Sequence, residues 1–480
     1  MLEKDVVIIG AGIGGLTAGA YLAKAGINVT IFERSSKPGG YCGSFSREGF
    51  IFDDAVHYIN NMGSKGMLRQ ICEKLGLLDR LRIIRIDPSD HLEMQGIRFS
   101  VFNDIGKTVS VLQNIFKKEQ KSIADFFEMV KNFDFLKLYA RYHQKSFQDI
   151  LDEYFQSIEL KTALGIFGAT LGLLPDQLSA LAALAYYRGS ILDGGYHPIG
   201  GAQQFANVLA DRFESYGGKL ELKTSVKKIL ITNHGNIKGV ELKDGSRVRS
   251  RAVISNCDAT QTFTLLIDQK HISSDFRKSI FALKPSLSNF IVYLGIRGEI
   301  SHDVPRCCNL WYLPFDDYRK TSVDITLDDR PDGFVHISFP SLHDRTMAPT
   351  GYHNIMIFTG ASFKDKDYWE SNKNRLTDVL IERASHTIPD LKNRIAIKFP
   401  ATPHTLLKYT FNREGSYRGW APTIEQSKLG LVPQKTMIRG LFLAGHWITT
   451  PIGHGGVSMV AQSGKNAARS VLSFLKVTGT

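Results

Sequence analysis

One stretch near the start constrains the fold more than any other. Residues 5–9, Asp5-Val6-Val7-Ile8-Ile9, form an apolar β-branched run that enters a glycine turn, Gly10-Ala11-Gly12-Ile13-Gly14-Gly15. Residues 16–25 then carry the small and apolar side chains of a helix packed on a sheet, so the order is strand, turn, helix. Gly10 permits the tight turn, Gly12 allows close approach of a pyrophosphate, and Gly15 lets helix and strand pack closely. Phosphate is expected on the free N–H groups and positive end of the helix. A second strand, 27–32, delivers Glu33 about 20 residues on, where a carboxylate accepts from a ribose 2′-OH and repels a 2′-phosphate. The motif announces a dinucleotide without choosing between NAD and FAD.

The residues that follow make the choice. Positions 34–43 read Arg-Ser-Ser-Lys-Pro-Gly-Gly-Tyr-Cys-Gly, and 49–58 read Gly-Phe-Ile-Phe-Asp-Asp-Ala-Val-His-Tyr. This resembles the FAD-binding flavoprotein superfamily of amine oxidases and phytoene-desaturase-like enzymes, in which a Gly-Gly loop follows the ribose acid and runs beside the flavin. An ordinary NAD domain would instead lead into another crossover helix. The resemblance implies a cofactor site that adds Ile13, Gly14, Arg34, Gly39, Gly40, Tyr41 and His57 to Gly10, Gly12, Gly15 and Glu33. Arg34 and Lys37, beside the acid, are expected to steady phosphate or solvent.

At 480 residues the chain exceeds the size of a single growing core, so two or more domains are expected. Its 59 Lys and Arg against 47 Asp and Glu give a net charge of +12. The basic residues are scattered, without zinc-finger spacing or basic repeats, which argues against nucleic acid and leaves an anionic membrane surface as the better partner. The five cysteines form neither a CxxC pair nor a disulfide framework, as in a reducing, cytoplasmic setting. Cys307-Cys308 reads as two buried thiols. The apolar start is a strand, not an export signal, and no window is long and apolar enough for a membrane span. No metal-ligand spacing is present.

Residues 67–78 form an amphipathic pattern, and 81–102 show the short alternating runs of strands. Between 109 and 155, apolar and aromatic residues such as Leu112, Phe126, Phe127, Val130 and Leu138 interleave with Lys117, Lys118, Lys121, Lys131 and Lys137. Two readings stand: a helix lying in a lipid interface, or a helical subdomain whose stripe is its own core.

Cofactor-domain style returns at 189–210, followed by a helix at 202–216, a strand at 219–222 and a hairpin. In the same superfamily the residue at Val226 holds adenine through its backbone. Residues 266–404 read as a separate mixed sheet with helices. Here Pro340-Ser341-Leu342-His343-Asp344 and Ala401-Thr402-Pro403-His404 resemble the phytoene-desaturase, carotenoid-isomerase and retinol-saturase branch more than the amine oxidases. At the end, strand 440–445 closes on Gly445, and Gly455, Gly456 and Val457 open the last helix, whose N-terminus would face the flavin pyrimidine. Many relatives carry an acid after the Ala-Gly; this chain has His446, which can still hydrogen-bond a hydroxyl.

The resemblance therefore implies an α/β protein: a discontinuous Rossmann-like FAD-binding domain (1–80, 189–265 and 405–480), a mixed-sheet substrate-binding domain (81–105 and 266–404) and a helical, membrane-facing or self-packed subdomain (106–188). It implies an FAD-dependent oxidoreductase acting on an apolar polyene, carotenoid or retinoid-like, by hydride transfer at flavin N5. Desaturation, saturation and cis–trans isomerisation stay open. An FAD amine oxidase and a non-catalytic prenyl-lipid carrier of the same fold are the alternatives. No catalytic acid or base is singled out; His57, His197, His404, His446 and His454 are candidates only by their nearness to cofactor motifs.

Overall fold

The computed structural model describes residues 2–301, 304–427, 432–448 and 456–478. Its first sheet grows from the opening strand, Leu2–Ile9, whose Val6, Val7 and Ile8 are wholly buried. That strand lies parallel between Val29–Phe32 and Arg247–Ser255. Lys219–Glu221 and Leu441–Leu443 extend the parallel core on either side, and the antiparallel strands Val226–Ile231 and Ile237–Leu242 complete seven strands. A parallel core buried on both faces requires strands without alternation, and the unbroken apolar runs supply them.

Helix Ile13–Lys24 packs on this sheet between the last helix, Val457–Thr478, and Gln203–Ser215. Small residues set the spacing. A side chain at Gly464 would strike the Gly14 carbonyl, and one at Gly19 would meet Ile31 and Phe213.

The second sheet is mixed and also seven-stranded, in the order Ile395–Ala401, Ser288–Arg297, Tyr352–Ala361, Val335–Ser338, Asn309–Leu313, Asp90–Met94, Ile97–Val101. Its outer face is covered by helix Lys366–Ser385 through Trp369, Leu376 and Leu380. Strand alternation sends Val335 and Ile337 to that side, and His336 and Ser338 to the inner one. A small ladder, Ile83–Ile86 against Gly195–Pro198, lies outside both large sheets.

Residues 105–154 fold into four short helices, Ile105–Ile115, Gln120–Lys131, Phe135–Tyr142 and Phe147–Tyr154. Their stripe is core: Leu112, Ile123, Phe126 and Val130 are wholly buried, and Phe126 packs edge-on against Phe155 and Tyr187. Amphipathic spacing records that an apolar face is covered but not by what. Ile115 and Leu136 are exceptions, Leu136 being 76 % exposed beside Lys137. Among the described residues, no helix is long and apolar enough to cross a membrane.

Candidate functional site

The site begins where the first strand ends. Gly10 takes φ +95°, a conformation that side chains rarely adopt, and a methyl group at Gly15 would overlap the Gly10 carbonyl. The chain can therefore turn from strand into helix within three residues. The first N–H groups of that helix have no acceptor within it. Alongside runs the second glycine loop: Gly39 bridges Gly12, its N–H donating to the Ala11 carbonyl at 2.9 Å. Glu33, at the end of the second strand, accepts from the N–H of Ala11 at 2.8 Å and of Ser35 at 2.8 Å. Its carboxylate is thus fixed at the turn and keeps further lone pairs for a ligand hydroxyl.

These elements wall a cavity of about 410 Å³. Gly10, Gly12, Ile13, Glu33, Arg34, Gly39, Gly40, Tyr41, Val226, Gly445, His446, Gly456 and Val457 all line it, although they come from five separate stretches of chain. Gly14 and Gly15 do not; they lie beneath the wall, where a Cβ on Gly14 would come within 2.9 Å of the Gly445 nitrogen. Gly455 and His454 lie outside the described residues.

Arg34 lines the cavity and is engaged by the segment at 409–411. Its guanidinium lies 3.8 Å from the Phe411 ring centre and donates to the carbonyl of Tyr409, and Lys37 is tied to the Ser44 carbonyl. His57 also stands apart from the cavity. The loop after strand Phe50–Asp53 aims its ring at the second sheet, where it meets His336 at 4.9 Å and Phe358 at 5.3 Å. His197 is buried 3.9 Å from Asp344, and His404 is stacked on Phe363 and bound to the Lys364 carbonyl. Neither of these two reaches the cavity wall.

His446 sits on the wall near Tyr41, with 6.1 Å between ring centres. Burial, reinforced by the Arg418 cation, holds it down to about 4, so it is neutral at pH 7. A neutral imidazole in place of an acid leaves this end of the cavity without a carboxylate from that position.

Other wall residues were not singled out as site residues by the sequence, although Tyr58 closes the 49–58 stretch that carries the resemblance. Asn256, Tyr58, Tyr417 and Arg418 all face the cavity. Asn256 follows the strand Arg247–Ser255 and touches three glycines: its side chain lies within 3 Å of a Cβ built at Gly12, Gly14 or Gly445, and its Oδ1 is buried without a partner. Asn after a parallel strand is the one signal that could have marked it.

The chemistry of this lining fits FAD. Two glycine loops and a helix start offer N–H donors to the pyrophosphate, Glu33 offers acceptors to the ribose, and the orphaned Asn256 Oδ1 awaits a donor. The start of the last helix, at Gly456 and Val457, supplies positive dipole to the far end.

Comparison with known proteins agrees. The family model described as "Flavin containing amine oxidoreductase" matches residues 13–472. Prolycopene isomerase 1 of an Oncidium hybrid cultivar is 26 % identical over 517 residues, covering 99 % of this chain and 85 % of the relative. All-trans-retinol 13,14-reductase of Danio rerio is 23 % identical, covering 92 % and 82 %. Among solved structures, an oxidoreductase from Methanosarcina mazei superposes with TM-score 0.69 at 20 % identity, covering 98 % of this chain and all of its own. Putrescine oxidase bound to putrescine gives TM-score 0.69 at 14 % identity, covering 98 % and 99 %. At those identities the two structures share the fold.

Proposed function

The chain belongs to the flavin containing amine oxidoreductase family, and from that premise we propose that it is an FAD-dependent oxidoreductase acting on an apolar polyene of the carotenoid or retinoid class. The reaction is desaturation, saturation or cis–trans isomerisation of the conjugated chain. One observation carries the reading: besides the nucleotide glycines, the same cavity is lined by Val56, Tyr58, Tyr417 and Val460. Aromatic and aliphatic walls suit a long apolar substrate. The identities of 26 % and 23 % to a prolycopene isomerase and a retinol reductase, over most of both chains, support the same class. The amine reading is the weaker: beyond the family's description it has only a 14 % likeness of fold. The carrier reading is disfavoured because Gly10, Gly12 and Glu33 still form a furnished nucleotide site.

When bound, FAD supplies the acceptor or donor of hydride at its ring. The chain does the rest. Glu33 would hold the ribose, the N–H groups at the start of the helix beginning at Ile13 would hold the phosphates, and the backbone at Val226 would hold the adenine. The last helix, beginning at Val457, favours negative charge beside it. The aromatic wall excludes water and aligns the polyene, which turns an encounter in solution into a fixed approach. The ranges given above for the FAD-binding, substrate and helical parts are the division of labour that goes with this reading.

Peripheral membrane contact belongs to the proposal too. Leu265, Phe281, Tyr409 and Phe411 are 69 %, 48 %, 68 % and 49 % exposed, and Leu265, Tyr409 and Phe411 rim the cavity. Arg34 lies over Phe411, Arg413 over Phe281 and Lys408 over Tyr409. Exposed rings with cations over them suit an anionic lipid surface, the source of an apolar substrate. The test is turnover by the FAD-loaded protein, assayed by chromatography on carotenoids, retinoids and aliphatic amines in separate reactions. Conversion of a polyene supports the reading; conversion of amines alone overturns it.

A further inference from the structure

Among the described residues, the cavity is lined by one lysine and two arginines: Lys243, Arg34 and Arg418. Arg34 lies over Phe411 and follows Glu33, and Lys243 donates its backbone N–H to the Ser225 carbonyl, next to Val226, so both belong to the nucleotide end. Arg418 stands elsewhere. Its Nη1 lies 3.5 Å from a Cβ built at Gly456, where the last helix begins. The turn that presents it is rigid. Gly419 takes φ +79°, and any Cβ there would overlap the His446 carbonyl. The Gly419 carbonyl accepts from the Ser286 N–H at 2.7 Å and from the Ser416 hydroxyl at 2.7 Å, and the Arg418 N–H donates to the Ser286 hydroxyl at 3.1 Å.

The charge of this guanidinium is not matched by the wall. Nη2 donates to the Thr170 hydroxyl at 3.2 Å, the Tyr417 ring lies 5.0 Å away, and Nε is buried without a hydrogen bond. The two carboxylates on the wall are engaged elsewhere: Glu33 by the N–H groups of Ala11 and Ser35, Asp258 by those of Thr260 at 2.7 Å and Arg413 at 2.6 Å. After Ala444-Gly445, where an acid could have stood, there is the neutral His446. On top of burial, the Arg418 charge holds down His446 and also His57, which lies behind Tyr58 in a buried group with Asn309, His336 and Tyr186. Arginine stays charged in such a setting, and a charge withdrawn from water without a counter-charge is costly. This end of the cavity is therefore prepared for a negative charge.

We propose that Arg418 stabilises the negative charge that the flavin ring takes on when it is reduced, together with the free N–H groups at the start of the last helix. A hydride brings one proton and two electrons to a neutral oxidised ring and leaves it anionic. A fixed cation therefore favours the reduced form and makes the oxidised form a stronger hydride acceptor. The helix end supplies about half a charge, and Arg418 supplies a whole one. The inference rests on the cofactor and is independent of the substrate that delivers the hydride.

The experiment uses the FAD-loaded protein with no polyene present. The midpoint potential is measured against reference dyes, and sulfite affinity is read from bleaching of the flavin band. Sulfite bonds through sulfur to flavin N5 and pushes an electron pair into the ring, so it reports the same negative charge. Arg418→Met and Arg418→Gln remove the cation. Each should shift the equilibrium about tenfold toward oxidised flavin, which is a potential lower by about 30 mV for a two-electron couple, and weaken sulfite about tenfold. Arg418→Lys keeps the charge and should stay within about threefold of the unsubstituted protein on both measures. If one neutral variant fails to fold, the other still decides. Neutral variants that keep the original potential and sulfite affinity overturn the assignment, and so does an Arg418→Lys protein that behaves like Arg418→Met. A loss of FAD affinity alone, with potential and sulfite binding unchanged, overturns it as well, because the cation would then serve the phosphates. All of these outcomes leave the polyene reading standing.

Discussion

The two ends of the interior are built by opposite means. At the nucleotide end, specificity comes from backbone: glycines bring peptide groups to the surface, and Glu33 is pinned by two N–H donors at 2.8 Å. Behind Tyr58 the polar groups are side chains: imidazoles, an amide and phenols from a loop, a helix and two strands, several without a hydrogen bond. The first arrangement is stiff and tolerates almost no change. The second is adaptable, and relatives of one fold can differ there while keeping the same cofactor.

This contrast can be broken most violently at the glycines. Gly15→Val would drive a branched side chain into the Gly10 carbonyl, and the backbone cannot yield without losing the turn. The expected product has no flavin band at any FAD concentration and a lowered melting temperature; a yellow, stable Gly15→Val protein would refute the backbone account.

Glu33→Ala comes next. It removes the acceptors offered to ribose and frees two N–H groups, so FAD affinity should fall about 10- to 100-fold, as for lost hydrogen bonds to a charged group. Fluorescence titration of the apoprotein with FAD measures it.

The side-chain end should reveal itself through pH. His57 and His446 are held to about 3 and about 4 by burial and by Arg418, against 6.5 in the unfolded chain. The unfolded chain therefore takes up protons below 6.5 that the folded one refuses, so stability falls as pH drops from 6.5 and levels off below about 3. Melting temperatures between pH 7.5 and 4 should show the decline, and His57→Gln should flatten part of it. The smallest effect is expected for His446→Gln at pH 7, where a neutral ring is exchanged for a neutral amide: FAD affinity should change by less than about threefold.

The same contrast explains what the sequence could tell. The glycine turn, the helix after it and Glu33 are local: spacing of a few residues dictates geometry, so they are legible one residue at a time. The aromatic pattern at 109–155 gave helices but not their partner, because Phe126 finds Phe155 and Tyr187 only after folding. His57 lies 17 residues after the Gly39-Gly40 pair, yet a strand and a loop turn it toward His336, 279 positions away by number. Asn256 carries only its place at the end of a strand, and Arg418 no motif at all. What they do depends on which strand ends and loops the two sheets bring to one cavity, and that information lies in the packing of both sheets.

The most direct test of the account uses one sealed, oxygen-free cell. The FAD-loaded protein, oxidised in one run and dithionite-reduced in another, is mixed with carotenoids and retinoids in liposomes, and the flavin spectrum and the polyene chromatogram are read together. An active polyene should bleach the oxidised flavin, reoxidise the reduced flavin, or change its own geometry while the flavin stays reduced. Those outcomes correspond to desaturation, saturation and isomerisation. A flavin that responds to amines and leaves every polyene untouched would contradict the account.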